Sequence, residues 1–305
     1  MIGIVIPVGP GRQANLAQCL LGIAELRRPI IPLDLIGVVL VGDGVEMDEL
    51  IATVPLALRS RTGVLGLPKH KPGMEQPRNQ GVRYLRGRWP EATHAWFVDS
   101  DVVLEPGALD AMGDALDGWA EPRILVGPYD WLPETWRPET GVGWPSRSGV
   151  RNDPRWPMIE ANDPSHVFRG DLSAGLACFS GNLVWPIGEF QRIGGFWSEI
   201  HHGRCEDGEL GLRAVAMGIG ISMVSGARGY HLWHPIDVDA AIARNERDVP
   251  MLNERHPWVE GADVFMVDRD GKAFDVRCSG CGKLIPTIGW WAHATGCGVD
   301  SRLAV

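Results

Sequence analysis

The stretch AWFVDSD, residues 95–101, is the most informative in the sequence. Its first four residues are apolar and favour a short buried β-strand, and Asp99-Ser100-Asp101 follows immediately. Two carboxylates at positions i and i+2 of an extended segment that leaves a sheet can point to one side. Holding both ionised side by side costs free energy, and a divalent cation relieves that cost. The stretch therefore indicates a metal site, although Asp-x-Asp alone more often marks a turn or a helix cap.

Strand and helix patterns alternate on the N-terminal side of this stretch. The predicted strands are Ile2–Pro7, Leu35–Val41 and a weaker one near Leu56–Arg59, and the predicted helices are Asn15–Leu26, Met47–Thr53 and Gln76–Leu85. Such alternation predicts an α/β fold with a parallel sheet, in which ligands bind beyond the carboxyl ends of the strands. Asp43, Asp99 and Asp101 all fall at such ends.

The C-terminal side is less regular. Proline and tryptophan crowd the chain between Gly127 and Asp171 with little periodicity, as in a long binding loop. Regular patterns then return at Leu183–Trp185, Glu189–Ile193 and Asp207–Met217, and in a strand before Tyr230. A boundary near residue 262 divides the chain into a body, residues 1–262, and a cysteine-rich tail, residues 263–305.

Composition excludes several classes of protein. The 305 residues hold 29 Lys and Arg against 38 Asp and Glu, a net charge of −9, and 45% are hydrophobic. These values are those of a globular chain, and the acidic balance argues against general nucleic-acid binding. The longest apolar run, Leu35–Val41, is too short to span a bilayer, and the N-terminus lacks a signal-peptide pattern. We expect a cytoplasmic protein with no membrane span.

One stretch departs from the acidic average. Residues 59–88 contain eight lysines and arginines and one acid, Glu75. Such a stretch is either a solvated face or a binding surface for a polyanionic small molecule such as a nucleoside diphosphate.

The tail carries a metal-ligand pattern of its own. Cys278-x2-Cys281 is followed by His293-x3-Cys297, which offers four ligands with zinc-finger-like spacing. We expect a structural Zn²⁺ ion there, and free thiols in a disordered tail are the alternative. Because four protein ligands fill the coordination of this ion, we do not expect it to have a catalytic role.

Taken in chain order, the motifs of the body resemble family 2 and related glycosyltransferases of the GT-A fold, over about residues 2–235. The motifs are Pro7, Asp43, Pro77–Gly81, Asp99–Asp101, Phe179–Asn182, Ile193–Phe196, Cys205–Arg213 and Tyr230–Pro235. The resemblance implies a Rossmann-like, mostly parallel sheet flanked by helices, to which the tail adds a small C-terminal zinc-binding knob. We also expect residues 128–175 to form an insertion that shapes the acceptor site, because aromatic faces stack on sugar rings, with an aromatic core as the alternative.

The resemblance assigns roles to individual residues. Asp101 would bind Mn²⁺ or Mg²⁺ with a late histidine, His231 or His234, of which we expect one to be a ligand. Asp207 would be the catalytic base, and Glu206 would bind the acceptor or the sugar. The residues implied in nucleotide-sugar binding are Pro7, Gly9, Asp43, Arg78, Asn79, Gly81, Asp99, Ser100, Gly194 and Gly195.

The resemblance thus implies a metal-dependent, inverting glycosyltransferase that uses a nucleotide-sugar, a UDP-sugar by family frequency, and an acceptor hydroxyl of unknown kind on a glycan, a protein or another molecule. A sugar-nucleotide nucleotidyltransferase is the first alternative, but Gly9-Pro10-Gly11-Arg12 lacks the lysine of its signature. A non-catalytic interaction module, a zinc tail on a transferase body, is the second.

Overall fold

The computed structural model describes residues 1–26, 35–117, 121–136, 155–160, 165–200 and 205–235, together with Asp153, Asn162 and short stretches between residues 243 and 286. Its β-strands are β1 Ile2–Val8, β2 Leu35–Asp43, β3 Thr62–Leu67, β4 His94–Val98, β5 Val102–Leu104, β6 Arg123–Val126, β7 Tyr129–Trp131, β8 Asn182–Pro186, β9 Gly220–Met223, β10 Gly229–His231, β11 Asp275–Arg277 and β12 Leu284–Pro286. Its α-helices are α1 Gln13–Ala24, α2 Met47–Thr53, α3 Pro77–Arg88, α4 Ala108–Leu116, α5 Trp156–Glu160, α6 Leu172–Leu176, α7 Ile187–Arg192 and α8 Glu206–Ala216.

Within this part of the chain, seven strands form the central sheet in the order β3-β2-β1-β4-β8-β6-β9. The first four strands run parallel, β8 runs antiparallel to both of its neighbours, and β9 is again parallel to β6. The mostly parallel α/β architecture predicted from the sequence is therefore confirmed.

Helices cover both faces of the sheet, and β1 shows how the sequence achieves this. Its residues alternate between the faces: Ile4 and Ile6 belong to the core cluster that contains Leu16 and Leu20 of α1, whereas Val5 belongs to the cluster of α3 and α8. A side chain of this size contributes about 1.5–3 kcal/mol when it is fully buried. Both faces are apolar, as in other parallel sheets that are covered on both sides.

One predicted strand is wrong. Residues 56–61 form a 3₁₀ helix, Leu56–Arg61, and the strand begins only at Thr62. Pro55 favours a turn because its ring fixes φ, here at −57°, and the hydroxyl of Thr62 accommodates the end of the turn by donating to the carbonyl of Leu58. Leu56 and Leu58 imitate strand alternation, but Leu56 is 81% exposed and only Leu58 is buried.

A small second sheet, in the order β5-β10-β7, lies next to the end of β4. The β10 strand pairs antiparallel with β5, which follows directly after Asp101. The backbone N–H of Leu232 donates to the carbonyl of Asp101 over 2.7 Å. This pairing brings residues 231–234 to the Asp-Ser-Asp turn, from which they are about 130 residues distant in sequence.

In the tail, the structure describes one antiparallel pair of strands, β11 and β12. The predicted zinc ligands Cys278, Cys281, His293 and Cys297 lie outside the described residues, so the zinc knob and the boundary near residue 262 stay predictions. No helix in the described ranges is long and apolar enough to cross a bilayer.

Candidate functional site

The charged residues singled out by the sequence gather at one edge of the central sheet. The parallel strands β1, β2 and β4 all end at this edge. Asp43 is the last residue of β2, Asp99 follows β4, and Arg12 lies shortly after β1. Because β8 runs in the opposite direction, the segment before it, Phe179–Gly181, enters the sheet at the same edge. The first turn of α8 contributes Glu206 and Asp207.

Asp101 and two histidines form the first group at this edge. Nε2 of His234 lies 3.2 Å from Oδ2 of Asp101, and Nε2 of His231 lies 3.6 Å from Oδ1. Burial by itself would raise the pKa of Asp101, but the hydrogen bond with His234 and the charges of His231, His234 and Arg12 hold that pKa below its ordinary value. The sequence favoured one histidine beside Asp101, and the structure places both His231 and His234 there.

These three side chains fit the requirements of a metal site. Each offers one ligand atom, and the three atoms lie within 4.8 Å of one another. Small side-chain movements would bring all three atoms to about 2.1 Å from a bound ion. A set of one carboxylate oxygen and two imidazole nitrogens suits Mn²⁺ better than Mg²⁺.

Arg78 organises the second group. Its guanidinium is buried and lies 2.6 Å from Oδ1 of Asp99 and 3.3 Å from Oε1 of Glu206. Burial opposes the charge of the guanidinium, but Asp99, Asp207 and Glu206 outweigh it and raise the pKa of Arg78. Glu206 is itself only 1% exposed, and Arg78 is one of its partners.

Asp207 is hydrogen-bonded through only one of its two carboxylate oxygens in the described structure. Its Oδ2 accepts a hydrogen bond of 3.0 Å from the backbone N–H of Ser180, whereas its buried Oδ1 has no partner among the residues described. Burial and the nearby charge of Glu206 raise the pKa of Asp207 from 3.8 to about 7, even though Arg78 acts in the opposite sense. A carboxylate with this pKa can take up a proton at neutral pH.

Two of the residues implied in nucleotide-sugar binding hold neighbouring main chain. Oδ1 of Asp43 accepts a hydrogen bond from the backbone N–H of His70, which fixes the loop between β3 and α3. Asn79 binds the backbone of Phe196 with both ends of its amide, through Nδ2 and Oδ1, each over 2.8 Å. Asn79 thereby positions the Gly194-Gly195 turn.

The glycines of the same set serve the backbone. A Cβ at Gly81 would lie 2.4 Å from Val5 and 2.9 Å from Val41, so this glycine lets α3 pack closely on β1 and β2. Gly194 and Gly195 adopt φ values of 86° and 67°, which allow the turn after α7. Pro7 is buried in β1, Ser100 is buried in the Asp-Ser-Asp turn, and Gly9 is partly exposed just after β1.

The basic stretch divides into two kinds of residue. Arg78 is buried in the site, and Arg83 and Arg86 are paired on the surface with Glu75 and Gln191. Lys69 and Lys71 are exposed and flank His70, the residue that Asp43 holds. Its lysines thus lie beside the carboxyl end of β2, whereas Arg83 and Arg86 belong to a solvated face.

Sequence reasoning missed a second charged cluster, formed by Asp130, Asp153, Arg155 and Arg228. Arg155 and Asp153 are buried and lie 2.5 Å apart, and Arg228 pairs with the buried Asp130. Arg155 also donates to the carbonyl of Ala177 and packs over the ring of Phe179, next to Ser180. The only sequence signal was that Asp130, Asp153 and Arg155 fall in the Pro- and Trp-rich segment, and Arg228 had none.

Comparison with known proteins shows the fold. No family model and no curated protein sequence matches the chain. A crystal structure of S. aureus TarS 1-349 in complex with UDP-GlcNAc matches 88% of this chain and 68% of its own at 16% identity, with a TM-score of 0.59. A crystal structure of the same fragment in complex with UDP matches 88% of this chain and 76% of its own at 16% identity, with a TM-score of 0.55.

A longer S. aureus TarS structure matches 88% of this chain at 15% identity, with a TM-score of 0.53, and the match spans 46% of that longer protein. At such identities the likeness shows the fold alone. The α/β fold expected from the resemblance to GT-A glycosyltransferases is therefore confirmed, and this chain shares it with TarS.

Proposed function

We propose that this chain is a metal-dependent glycosyltransferase that moves a sugar from a nucleotide-sugar to the hydroxyl of an acceptor, with inversion at the anomeric carbon. A UDP-sugar is the proposed donor, because the structures of similar fold include TarS complexes with UDP-GlcNAc and UDP. The proposal rests on the geometry of the sheet edge, which holds the acid–histidine group (Asp101, His231 and His234), the Asp99–Arg78 pair and Asp207.

The donor side would be formed by Asp101, His231 and His234, which would hold a Mn²⁺ or Mg²⁺ ion. Such an ion supplies electrostatic stabilisation of the negative charge that grows on a departing diphosphate. Asp99 lies two residues before Asp101 and is held by Arg78, which fixes the direction of its carboxylate. Lys69 and Lys71, beside Asp43, would lie along the nucleotide.

The residues of this edge would supply what the transfer step requires. The bond between the anomeric carbon and the diphosphate oxygen breaks, and its electron pair goes to that oxygen. The acceptor oxygen forms a new bond to the opposite face of the same carbon, which inverts its configuration. The proton of the acceptor hydroxyl goes to Oδ1 of Asp207, the oxygen that has no described partner.

One observation carries the proposal: Asp207 combines a pKa of about 7 with a free carboxylate oxygen, at the edge that also holds the acid–histidine group. A carboxylate that only stabilised the fold would be expected to have both oxygens bonded. Glu206, with its charge paired to Arg78, would raise the basicity of Asp207 and so act as a positioning residue.

The test is a thermal-shift panel of UDP, GDP, CDP and dTDP, each with and without Mn²⁺, on wild type and Asp101→Ala. We expect one nucleotide to stabilise the wild type only with Mn²⁺, and Asp101→Ala to lose that stabilisation. The turnover of Asp101→Ala should fall at least about 1,000-fold, because the stabilisation of the leaving group amounts to several kcal/mol.

Asp114→Ala removes an exposed acid of α4 and is the matched control, which should behave like the wild type. Stabilisation by a nucleotide that is equal without Mn²⁺, or unchanged in Asp101→Ala, would contradict the metal-dependent donor site. No stabilisation by any nucleotide would contradict the glycosyltransferase proposal as a whole.

A further inference from the structure

Arg12 is a charged residue of this edge to which the resemblance gave no role. It follows β1 and directly precedes α1, and about 29% of its side chain is exposed. Its Nη1 lies 3.9 Å from Oδ2 of Asp101, which is within ion-pair range but too long for a hydrogen bond. Arg12 therefore lies against the acid–histidine group.

The N–H donors of the Arg12 guanidinium have no hydrogen-bond acceptor among the described residues. Within the described part of the chain, no carbonyl or carboxylate accepts a hydrogen bond from it, whereas Arg78 and Arg155 donate to several acceptors. A guanidinium carries five N–H donors in a planar fork that matches two oxygens of a phosphate. Arg12 thus has the capacity to bind an anion at this position.

A second donor lies in the same turn. Asn15, three residues after Arg12, has a buried side-chain amide nitrogen without a partner in the described structure. The N–H groups at the start of α1 are added to these donors, since the first turn of a helix leaves its amides unpaired and favours negative charge. Arg12 and the N–H groups of the first turn together favour an anion in front of α1.

We propose that Arg12 is a further catalytic residue, which binds the diphosphate of the nucleotide-sugar and stabilises it as it departs. The inference rests on the proposed function and extends it to a residue on β1's side of the site. Arg12 donates N–H bonds to the diphosphate oxygens and stays protonated throughout, so that no proton passes from it. Its positive charge would add to that of an ion held by Asp101, His231 and His234.

The alternative is that Arg12 only balances the charge of Asp101. The two roles differ in what the residue contacts when ligand is present. A residue that merely balances Asp101 would oppose a cation there, and its removal would tighten Mn²⁺ binding and leave nucleotide binding unchanged. A residue that binds the diphosphate would discriminate between nucleotides by their number of phosphates.

The experiment is calorimetric titration of wild type, Arg12→Ala and Arg12→Lys with UDP and with UMP, at a fixed Mn²⁺ concentration. Arg83→Ala, which removes an exposed arginine of α3, is the matched control. We expect Arg12→Ala to bind UDP about 10- to 100-fold more weakly, with a smaller loss for UMP, because hydrogen bonds to charged groups contribute in that range. Arg12→Lys should lie in between, since lysine keeps the charge but not the fork.

With a UDP-sugar, Arg12→Ala should also lower kcat, because the charge on the diphosphate grows as the bond breaks. Equal UDP binding by Arg12→Ala and the wild type, or equal losses for UDP and UMP, would overturn this inference and leave the proposed function standing. A wild type that binds neither nucleotide would overturn both.

Discussion

Two buried charge clusters in this molecule use the same residue types in different proportions. Around Arg78, three carboxylates share one guanidinium, those of Asp99, Glu206 and Asp207. In the second cluster, Asp153 pairs with Arg155 and Asp130 pairs with Arg228, so that two carboxylates meet two guanidinium groups. Burial is therefore similar, whereas the balance of charge is not.

Hydrogen bonding differs in the same way. Both oxygens of Asp153 and both of Asp130 accept hydrogen bonds, from Arg155, Tyr129, Trp156, Arg228 and the backbone of Asp153. Asp207 has one bonded oxygen and one without a described partner. Carboxylates with both oxygens bonded fix one arrangement of the chain, whereas a carboxylate with an unbonded oxygen keeps the capacity to take up a proton. The comparison can be tested by altering each cluster in turn.

The largest effect is expected from Asp207→Asn. The amide cannot accept the acceptor's proton, so kcat should fall at least about 1,000-fold while UDP binding is retained. The wild-type kcat should rise with pH through about 7, the pKa of Asp207. Rate measurements between pH 5 and pH 9 check both statements, and normal turnover by Asp207→Asn would assign the base to another residue.

The same variant tests the energetic side of the comparison. The pKa of Asp207 is higher in the folded protein than in the unfolded chain, so its contribution to the free energy of unfolding is lost as pH rises from about 4 to about 7. Asp207→Asn should therefore be more stable than the wild type at pH 8, on the order of 4 kcal/mol, and about equal at pH 4. Urea titrations at both pH values measure the difference.

Arg155→Met should cause the next largest effect, on stability. It leaves Asp153 buried without its cation, which costs about 3–5 kcal/mol in the free energy of unfolding. The double variant Asp153→Asn/Arg155→Met removes both charges and should recover part of that loss, as a double-mutant cycle would show. A loss below about 1 kcal/mol for Arg155→Met would mean that the second cluster contributes little.

The smallest effect is expected from Glu206→Gln. Removing the charge of Glu206 lowers the pKa of Asp207, because their repulsion is one of its causes. The rise of kcat with pH should therefore move to lower pH, by up to about one pH unit. Glu189→Gln, at a surface pair with Arg192, is the control and should leave the profile in place.

Sequence patterns predicted β1, β2, β4 and β8 of the central sheet, whereas β3 was misplaced and β6 was not predicted. The bounds of α2 were correct, and the strand before Asp99 ends at Val98 as the apolar run indicated. The error at residues 56–59 arose because two leucines two positions apart imitate a strand, and periodicity gives no weight to the turn that Pro55 favours.

The sequence singled out residues that the structure brings to one sheet edge, but it did not predict their partners. Nothing local connects Arg78 with Glu206, which lie 128 positions apart, or Asn79 with Phe196, which lie 117 apart. The choice between His231 and His234 depends on the pairing of β10 with β5, a tertiary feature. For the same reason Arg155 could not be singled out from its neighbours in sequence.

The reversed strand β8 has a consequence for how this molecule can change during evolution. Residues 127 and 182 are neighbours, since the N–H of Gly127 donates to the carbonyl of Asn182 over 3.0 Å. The 54 positions between them leave the sheet and return to it at almost one point. The exposed parts of this segment can be lengthened or shortened at small cost in loop-closure entropy, whereas its buried pair, Asp153 and Arg155, has to be kept. The sheet edge that holds Asp43 and Asp101 can thus be inherited unchanged while the neighbouring surface diversifies.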